Sequence, residues 1–324
     1  MSVLEFLKSL NAQFRRRKKR FRDQQGFDYT ISIANGCAEM AAKYSRWHGT
    51  VMDSSIQRHK KSEVLFILGS GPSINLITDS EWEHIRKHDS VGFNWWMAHD
   101  FIPSFYLLQF ANSEALFKLI QTRSPDYRHV PLILRGDSFA NGSLPLGENP
   151  KFDFLKEHEL YYLREYAISS RCAIDIHKLF QHVELLGMLT HGSIGTLVPK
   201  WRSTLGLLMS WGYQMGYNKM VLCGMDMHSN EHFWHDLKHK EMCHRYNLPG
   251  VESAKKKNKG YGIMAFTDEA ISQNTVPRYV TELAHWMNER ADVHTFVNST
   301  QTILYPSLPA YSFECMNSIA DNRL

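Results

Sequence analysis

The chain has 324 residues, 43% of them hydrophobic and 22% charged, with 37 Lys/Arg against 33 Asp/Glu for a net charge of +4. That balance belongs to a globular protein with a real core, excludes disordered, collagen-like and coiled-coil compositions, and fits one large α/β domain or two average ones. No apolar run approaches the roughly 18 residues a membrane span needs and the start lacks a signal-peptide apolar stretch, so a cytosolic chain is expected.

Residues 1–24 contain eight basic side chains (Lys8, Arg15, Arg16, Arg17, Lys18, Lys19, Arg20, Arg22) against Glu5 and Asp23, a local charge of +6 that leaves the remainder at −2. Val3, Leu4, Phe6, Leu7, Leu10 and Phe14 recur at helical spacing and lead into that cluster. This is the pattern of an interfacial helix whose cations meet anionic headgroups, giving peripheral attachment to the inner membrane face. A solvated basic helix packed through Leu7 and Leu10, or a nucleic-acid contact, are the other readings of such a run. The slightly acidic remainder offers no second phosphate-tracking patch, so no nucleic-acid partner is expected. Residues 25–62 read as helical around Ala34, Ala38, Met40 and Ala41, and with 1–24 they form an extension ahead of the main domain.

From residue 63 the pattern changes. Val64-Leu65-Phe66-Ile67-Leu68 is a short apolar run ending in Gly69-Ser70-Gly71-Pro72-Ser73, which reads as a buried parallel strand feeding a tight turn and a helix. A helix over 79–87, strands over 90–94 and 104–109, and weaker strands over 130–134 and 159–162 follow, with Pro131 confining its strand to a start or a sheet edge. A buried helix over 205–215, a strong strand from Lys219 ending in Gly224 and Asp226, an amphipathic helix over 277–288 and a last strand over 292–297 complete the series. Such alternation predicts an α/β fold, a doubly wound, mostly parallel Rossmann-like sheet over about 63–310 with ligands at the carboxyl ends of its strands. Lys255, Lys256, Lys257 and Lys259 mark a lid within about 250–270, and 311–324 is a tail that wraps the domain.

The glycine turn after the first strand places backbone N–H groups and a helix start where they can hold an anion, although such turns also occur for tight packing alone. A nicotinamide fingerprint needs a third glycine near Ile74 and an acidic end to the second strand; here that strand ends in Asn94, and the P-loop lysine is also missing. Asn94, Gln109, Asn112 and Ser113 fall at or just past strand ends, where amides read a base or sugar hydroxyls or simply cap turns. Asp226, His228, Glu231, His232, His235, Asp236 and His239 crowd one short segment at the same edge. His228/His232 and His235/His239 have i,i+4 spacing, yet no H-E-x-x-H pattern appears, so proton transfer or phosphate contact is weighed against surface histidines and no metal site is expected. Cys37, Cys172, Cys223, Cys243 and Cys315 contain no C-x-x-C pair and read as reduced free thiols.

The ordered set of Gly69-Ser70-Gly71-Pro72-Ser73, Gly92-Phe93-Asn94, 215–226, Ser272-Gln273-Asn274-Thr275 and Asn298-Ser299 resembles the bacterial sialyltransferases of glycosyltransferase family 42 and related nonulosonic-acid transferases. The likeness spans about 63–300. It implies a GT-A variant fold that binds a CMP-sugar donor with no further cofactor or metal and transfers a nonulosonic acid with inversion to a glycan acceptor such as lipooligosaccharide. By that resemblance Gly69, Ser70, Gly71, Pro72, Ser73 and Asn94 line the donor pocket, and Gln109 or Asn112 contacts cytidine or sugar. Arg202 and Thr204 match an arginine and serine before a buried helix, and Asn274 and Thr275 belong to the later block. Asp226 closes the pocket and His228 replaces a tyrosine on the leaving phosphate. The family pattern has Asn where this chain has Ser70, and its catalytic histidine aligns with Ile271. Imidazole being the natural base near neutral pH, His232 or His235 are the replacements considered, followed by Asp268 and Glu269. An ATP- and Mg²⁺-dependent pyrophosphokinase-like enzyme using Asp226 and Asp236, or a non-catalytic nucleotide-binding scaffold, are the alternatives on this scaffold, and homo-oligomer formation stays open.

Overall fold

The structure, a computed structural model, describes residues 49–109, 114–135, 150–163, 165–168, 176–185, 187–194, 198–201, 203–228, 231–250 and 275–313. The lid, the tail beyond Phe313, the basic start, Asn112, Arg202, Asp268, Glu269 and Asn274 lie outside them. The strands are β1 (Thr50–Val51), β2 (Val64–Leu68), β3 (Asp89–Phe93), β4 (Phe105–Leu108), β5 (Leu132–Arg135), β6 (Leu160–Leu163), β7 (Glu165–Ile168), β8 (Val198–Trp201), β9 (Lys219–Cys223) and β10 (His294–Val297). The helices are α1 (Asp79–Arg86), α2 (Glu114–Arg123), α3 (Ile176–Leu185), α4 (Thr204–Gln214), α5 (Lys240–Tyr246) and α6 (Val276–Ala291).

Among the described residues eight strands form one sheet in the order β1-β6-β5-β4-β3-β2-β9-β10, and β7 pairs with β8 in a separate two-stranded sheet. Every pairing is parallel. All five residues of β2 are buried, which is why this strand reads as a continuous apolar run and not as an alternation. Its side chains nevertheless alternate between two cores. Leu65 and Ile67 join Leu207, Trp211, Val280 and Met287 beneath α3, α4 and α6. Val64, Phe66 and Leu68 join Ile85, Leu116 and Ile120 beneath α1 and α2.

The doubly wound parallel sheet expected from the sequence is therefore present. One local expectation shifts. Residues 50–59 already belong to the sheet domain, because β1 pairs with β6 and Ile56 in the 3-10 helix Ser54–His59 is fully buried; within the described part the helical reading of 25–62 holds for that helix and gives way to a strand at β1. The 130–134 candidate is present as an interior strand, β5, with Pro131 immediately before its start, the first of the two placements expected, where its missing N–H costs no ladder bond.

Chain order reverses beside β2. Strands β2 to β6 step away on one side, whereas β9 and β10 lie on the other. A crevice at such a reversal, outside the carboxyl ends of the strands, is where open α/β sheets bind ligands. Here it lies between the ends of β2 and β9.

Candidate functional site

The turn after β2 is fastened to the turn after β9 by a short ladder. Gly69 N–H donates to Cys223 O at 2.8 Å and Gly71 N–H to Gly224 O at 2.9 Å. Ser73 N–H donates to Asp226 Oδ2 at 2.9 Å, and Ile74 N–H closes the turn on Gly71 O at 3.2 Å. The expectation that this turn presents its N–H groups to an anion therefore needs correction at these four positions, since carbonyls and the Asp226 carboxylate already take them. A carboxylate seated at the start of the Pro72–Leu76 turn satisfies the same orphan donors that a phosphate would. Gly71 has no side chain for a visible reason: a Cβ there would stand 2.2 Å from Asp226 Oδ2.

Asp226 is 3% exposed, and its second oxygen, Oδ1, has no hydrogen-bond partner. The Ser73 hydroxyl is buried beside it and also has none. Two unsatisfied oxygens at one crevice are costly, about 1–3 kcal/mol each, and buried groups of this kind call for an explanation such as a bound hydroxyl or water.

Asn94 opens the turn Asn94–Ala98 at the end of β3 with φ of 56°, and its carbonyl accepts from Tyr106 Oη at 2.6 Å. Met227, at φ 59°, is the second non-glycine residue in the left-handed region at this edge, and Gly224 adopts φ 67° between β9 and Asp226. Strained backbone of this kind persists only where neighbours impose it, and it gathers at ligand sites.

The His-rich segment folds back onto the glycine turn. Phe233 N–H donates to Ser70 O at 2.9 Å, Asn75 Nδ2 donates to Phe233 O at 2.9 Å, and His239 Nε2 meets Asn75 Oδ1 at 2.8 Å. His232 Nδ1 lies 3.1 Å from Ser70 Oγ, and its ring stacks on Trp234 at a centroid distance of 4.2 Å and 13°. Burial, followed by the neighbouring His235, pushes the His232 pKa down to about 4, so this ring is neutral near pH 7. His235 has both ring nitrogens engaged: Nδ1 accepts from His232 N–H at 3.0 Å and Nε2–H donates to Pro249 O at 3.0 Å. His228 is exposed and donates Nδ1–H to Asp226 O at 3.0 Å.

The remaining expected residues divide. Gln109, just past β4, accepts from the guanidinium of Arg135, which ends β5 and is 1% exposed. Both lie at the carboxyl edge, with β3 between β4 and β2. Thr204 is the first residue of α4, but the cap of that helix is Ser203, whose Oγ accepts from Gly206 N–H at 3.1 Å. Thr275 caps α6, accepting from Arg278 N–H at 3.4 Å, and the structure shows a helix-start role for it. Asn298 Oδ1 accepts from Gly224 N–H at 3.3 Å, and Thr302 Oγ1 donates to Met225 O at 2.6 Å. Sequence reasoning passed over Arg135, Trp234 and Thr302; Arg135 alone carried a signal, a charge closing the apolar run Leu132-Ile133-Leu134.

Asp226 Oδ2 is bonded to Ser73 N–H and Asp236 Oδ1 to Lys238 N–H. Among the described residues no three His, Cys, Asp or Glu side chains converge as a metal would require. Cys223 and Cys243 are free thiols; burial raises the pKa of both, and Cys243 Sγ donates to Trp234 O at 2.8 Å. No helix of the described residues is long and apolar enough to cross a membrane.

No protein-family model and no curated protein matches the chain. Solved structures of Campylobacter jejuni sialyltransferases are similar over part of their length. The α-2,3-sialyltransferase in apo form matches at 11% identity over 77% of this chain and 80% of that one, with a TM-score of 0.35. The sialyltransferase CstII in complex with cytidine-5'-monophosphate matches at 12% identity over 77% of this chain and 85% of that one, with a TM-score of 0.36. The same enzyme with a trisaccharide acceptor and CMP matches at 11% identity, 77% and 86% coverage, and a TM-score of 0.35.

Proposed function

We propose that the chain is a glycosyltransferase that takes sialic acid or a related nonulosonic acid from a CMP-sugar and transfers it, with inversion and without a metal ion, to a hydroxyl of a surface glycan. The observation that carries this reading is convergence. Three of the blocks that carry the sequence resemblance, 69–73, 215–226 and 298–299, are far apart in the chain yet hydrogen-bonded to one another at the chain-order reversal. A fourth, ending in Asn94, closes the neighbouring strand.

In this reading the crevice holds the nucleoside, with Asp226 Oδ1 and Ser73 Oγ as acceptor positions for its hydroxyls, since a carboxylate already occupies the anion position of the turn. His232, neutral and stacked, orients the Ser70 hydroxyl toward the donor. Departure of CMP leaves an oxocarbenium-like sugar, and donors held in place before the reaction stabilise the charge that moves onto the phosphate. The acceptor would be a lipooligosaccharide-like glycan, reached from the cytosolic membrane face through the basic start of the chain.

Calorimetric titration tests the reading. CMP should bind the full chain in preference to ATP and NAD, and Gly71→Ala, whose Cβ displaces the Asp226 carboxylate, should weaken CMP binding at least tenfold. Binding of ATP or NAD with no heat from CMP would overturn it.

A further inference from the structure

The three imidazoles next to the crevice differ in what their ring nitrogens do. His235 has none to spare, because Nδ1 accepts from His232 N–H and Nε2–H donates to Pro249 O. His232 turns Nδ1 to Ser70 Oγ inside an aromatic stack with Trp234. His228 alone is exposed, standing just past the left-handed residue Met227. Its Nδ1–H donates to Asp226 O at 3.0 Å, and a carbonyl can only accept, so in the neutral ring the lone pair belongs to Nε2. A neutral imidazole with one nitrogen tied to a fixed acceptor and the other carrying its lone pair is the arrangement of a general base. In that neutral ring Nε2 can accept a proton from a hydroxyl and has none to give a leaving phosphate.

We propose that His228 is the general base that deprotonates the attacking glycan hydroxyl, an assignment that rests on the nucleotide-sugar reading above. Nε2 takes the hydroxyl proton while the acceptor oxygen forms its bond to the anomeric carbon. The bond from that carbon to the CMP phosphate oxygen breaks, and CMP departs with the electron pair. The imidazolium then releases its proton to water. This places the base at the end of β9, at a position for which the family likeness implied a phosphate contact. It leaves the sequence candidates His232 and His235 with orienting and structural parts. The two segments bonded to Asp226, 69–76 and 298–305, bring no ionisable side chain to this base other than Tyr305. On its own segment the ionisable groups are Asp226, Glu231, His232, His235, Asp236, Lys238 and His239.

Three variants separate the roles, read by turnover of CMP-N-acetylneuraminic acid and by calorimetric CMP affinity. His228→Asn keeps an N–H for the Asp226 carbonyl but has no basic nitrogen, His228→Tyr supplies a phosphate donor, and His228→Ala supplies neither. All three should lose about 10²–10⁴-fold in turnover while CMP affinity stays within about threefold. Added imidazole should restore part of the rate to His228→Ala. Near-normal turnover of His228→Asn would overturn the assignment, and recovery in His228→Tyr would overturn it in favour of a phosphate contact. A wild-type chain that binds no CMP would instead remove the donor reading, and the base assignment with it.

Discussion

His232 shows how much a single side chain depends on neighbours that are distant in sequence. Its ring lies over Trp234 and against Ser70, 162 positions earlier, and burial holds its pKa near 4. In the unfolded chain the same imidazole titrates near 6.5. Between those values the unfolded chain binds a proton that the folded one refuses, so this contribution is complete above about pH 6.5 and is lost as the pH falls toward 4. His99, half-buried and lowered by desolvation to about 3, acts in the same sense. Unfolding by denaturant at pH 7 and pH 5 should show a loss of stability in the wild type of at most roughly 2 kcal/mol from His232, and a smaller loss in His232→Gln. An equal loss in both proteins would show that the ring is not the group concerned. The accumulation of imidazoles over 228–239 is plain in the sequence. Which nitrogen of which ring is engaged is not, because the partners are Ser70, Asn75 and Pro249.

At the level of elements, the start of α6 is the clearest case of a residue with two readings. Thr275 belongs to a block that resembles a donor-site motif, yet its side chain caps a helix with Pro277 in the first turn. Thr275→Ala should cost about 1 kcal/mol in urea unfolding and leave CMP affinity unchanged; a fivefold drop in affinity at unaltered stability would return Thr275 to the donor site. The strands β2, β3, β4 and β9 were legible because buried parallel strands are short apolar runs bounded by turn residues. Helix α3 was passed over although Ile176, Leu179, Phe180 and Val183 repeat at helical spacing and are all buried. Strands β7 and β8 pair across 33 positions of chain and β8 contains Pro199, so neither carries a local pattern that announces its partner.

For the whole molecule, the charge is divided unequally, with +6 in the first 24 residues and −2 in the rest. Peripheral attachment through that segment is a proposal that vesicle sedimentation can check. The full chain should partition onto phosphatidylglycerol vesicles, weakly onto neutral ones, and less as salt rises, because each Lys or Arg near an anionic surface contributes about 1 kcal/mol. A chain lacking residues 1–24 should stay in the supernatant; equal partition of the two would place membrane contact elsewhere. The sequence by itself determined the doubly wound parallel class, the position of the glycine turn and the stretch of chain where acids and imidazoles gather, since these follow from local periodicity and composition. Only the tertiary structure decided that the sheet reverses between β2 and β9 and that Asp226 fills the anion position of the turn. The same packing ties His235 down, half-buries His232 and leaves His228 exposed. Each of those outcomes depends on hydrogen bonds between residues far apart in the chain, and one-dimensional patterning carries no information about which distant donor meets which acceptor.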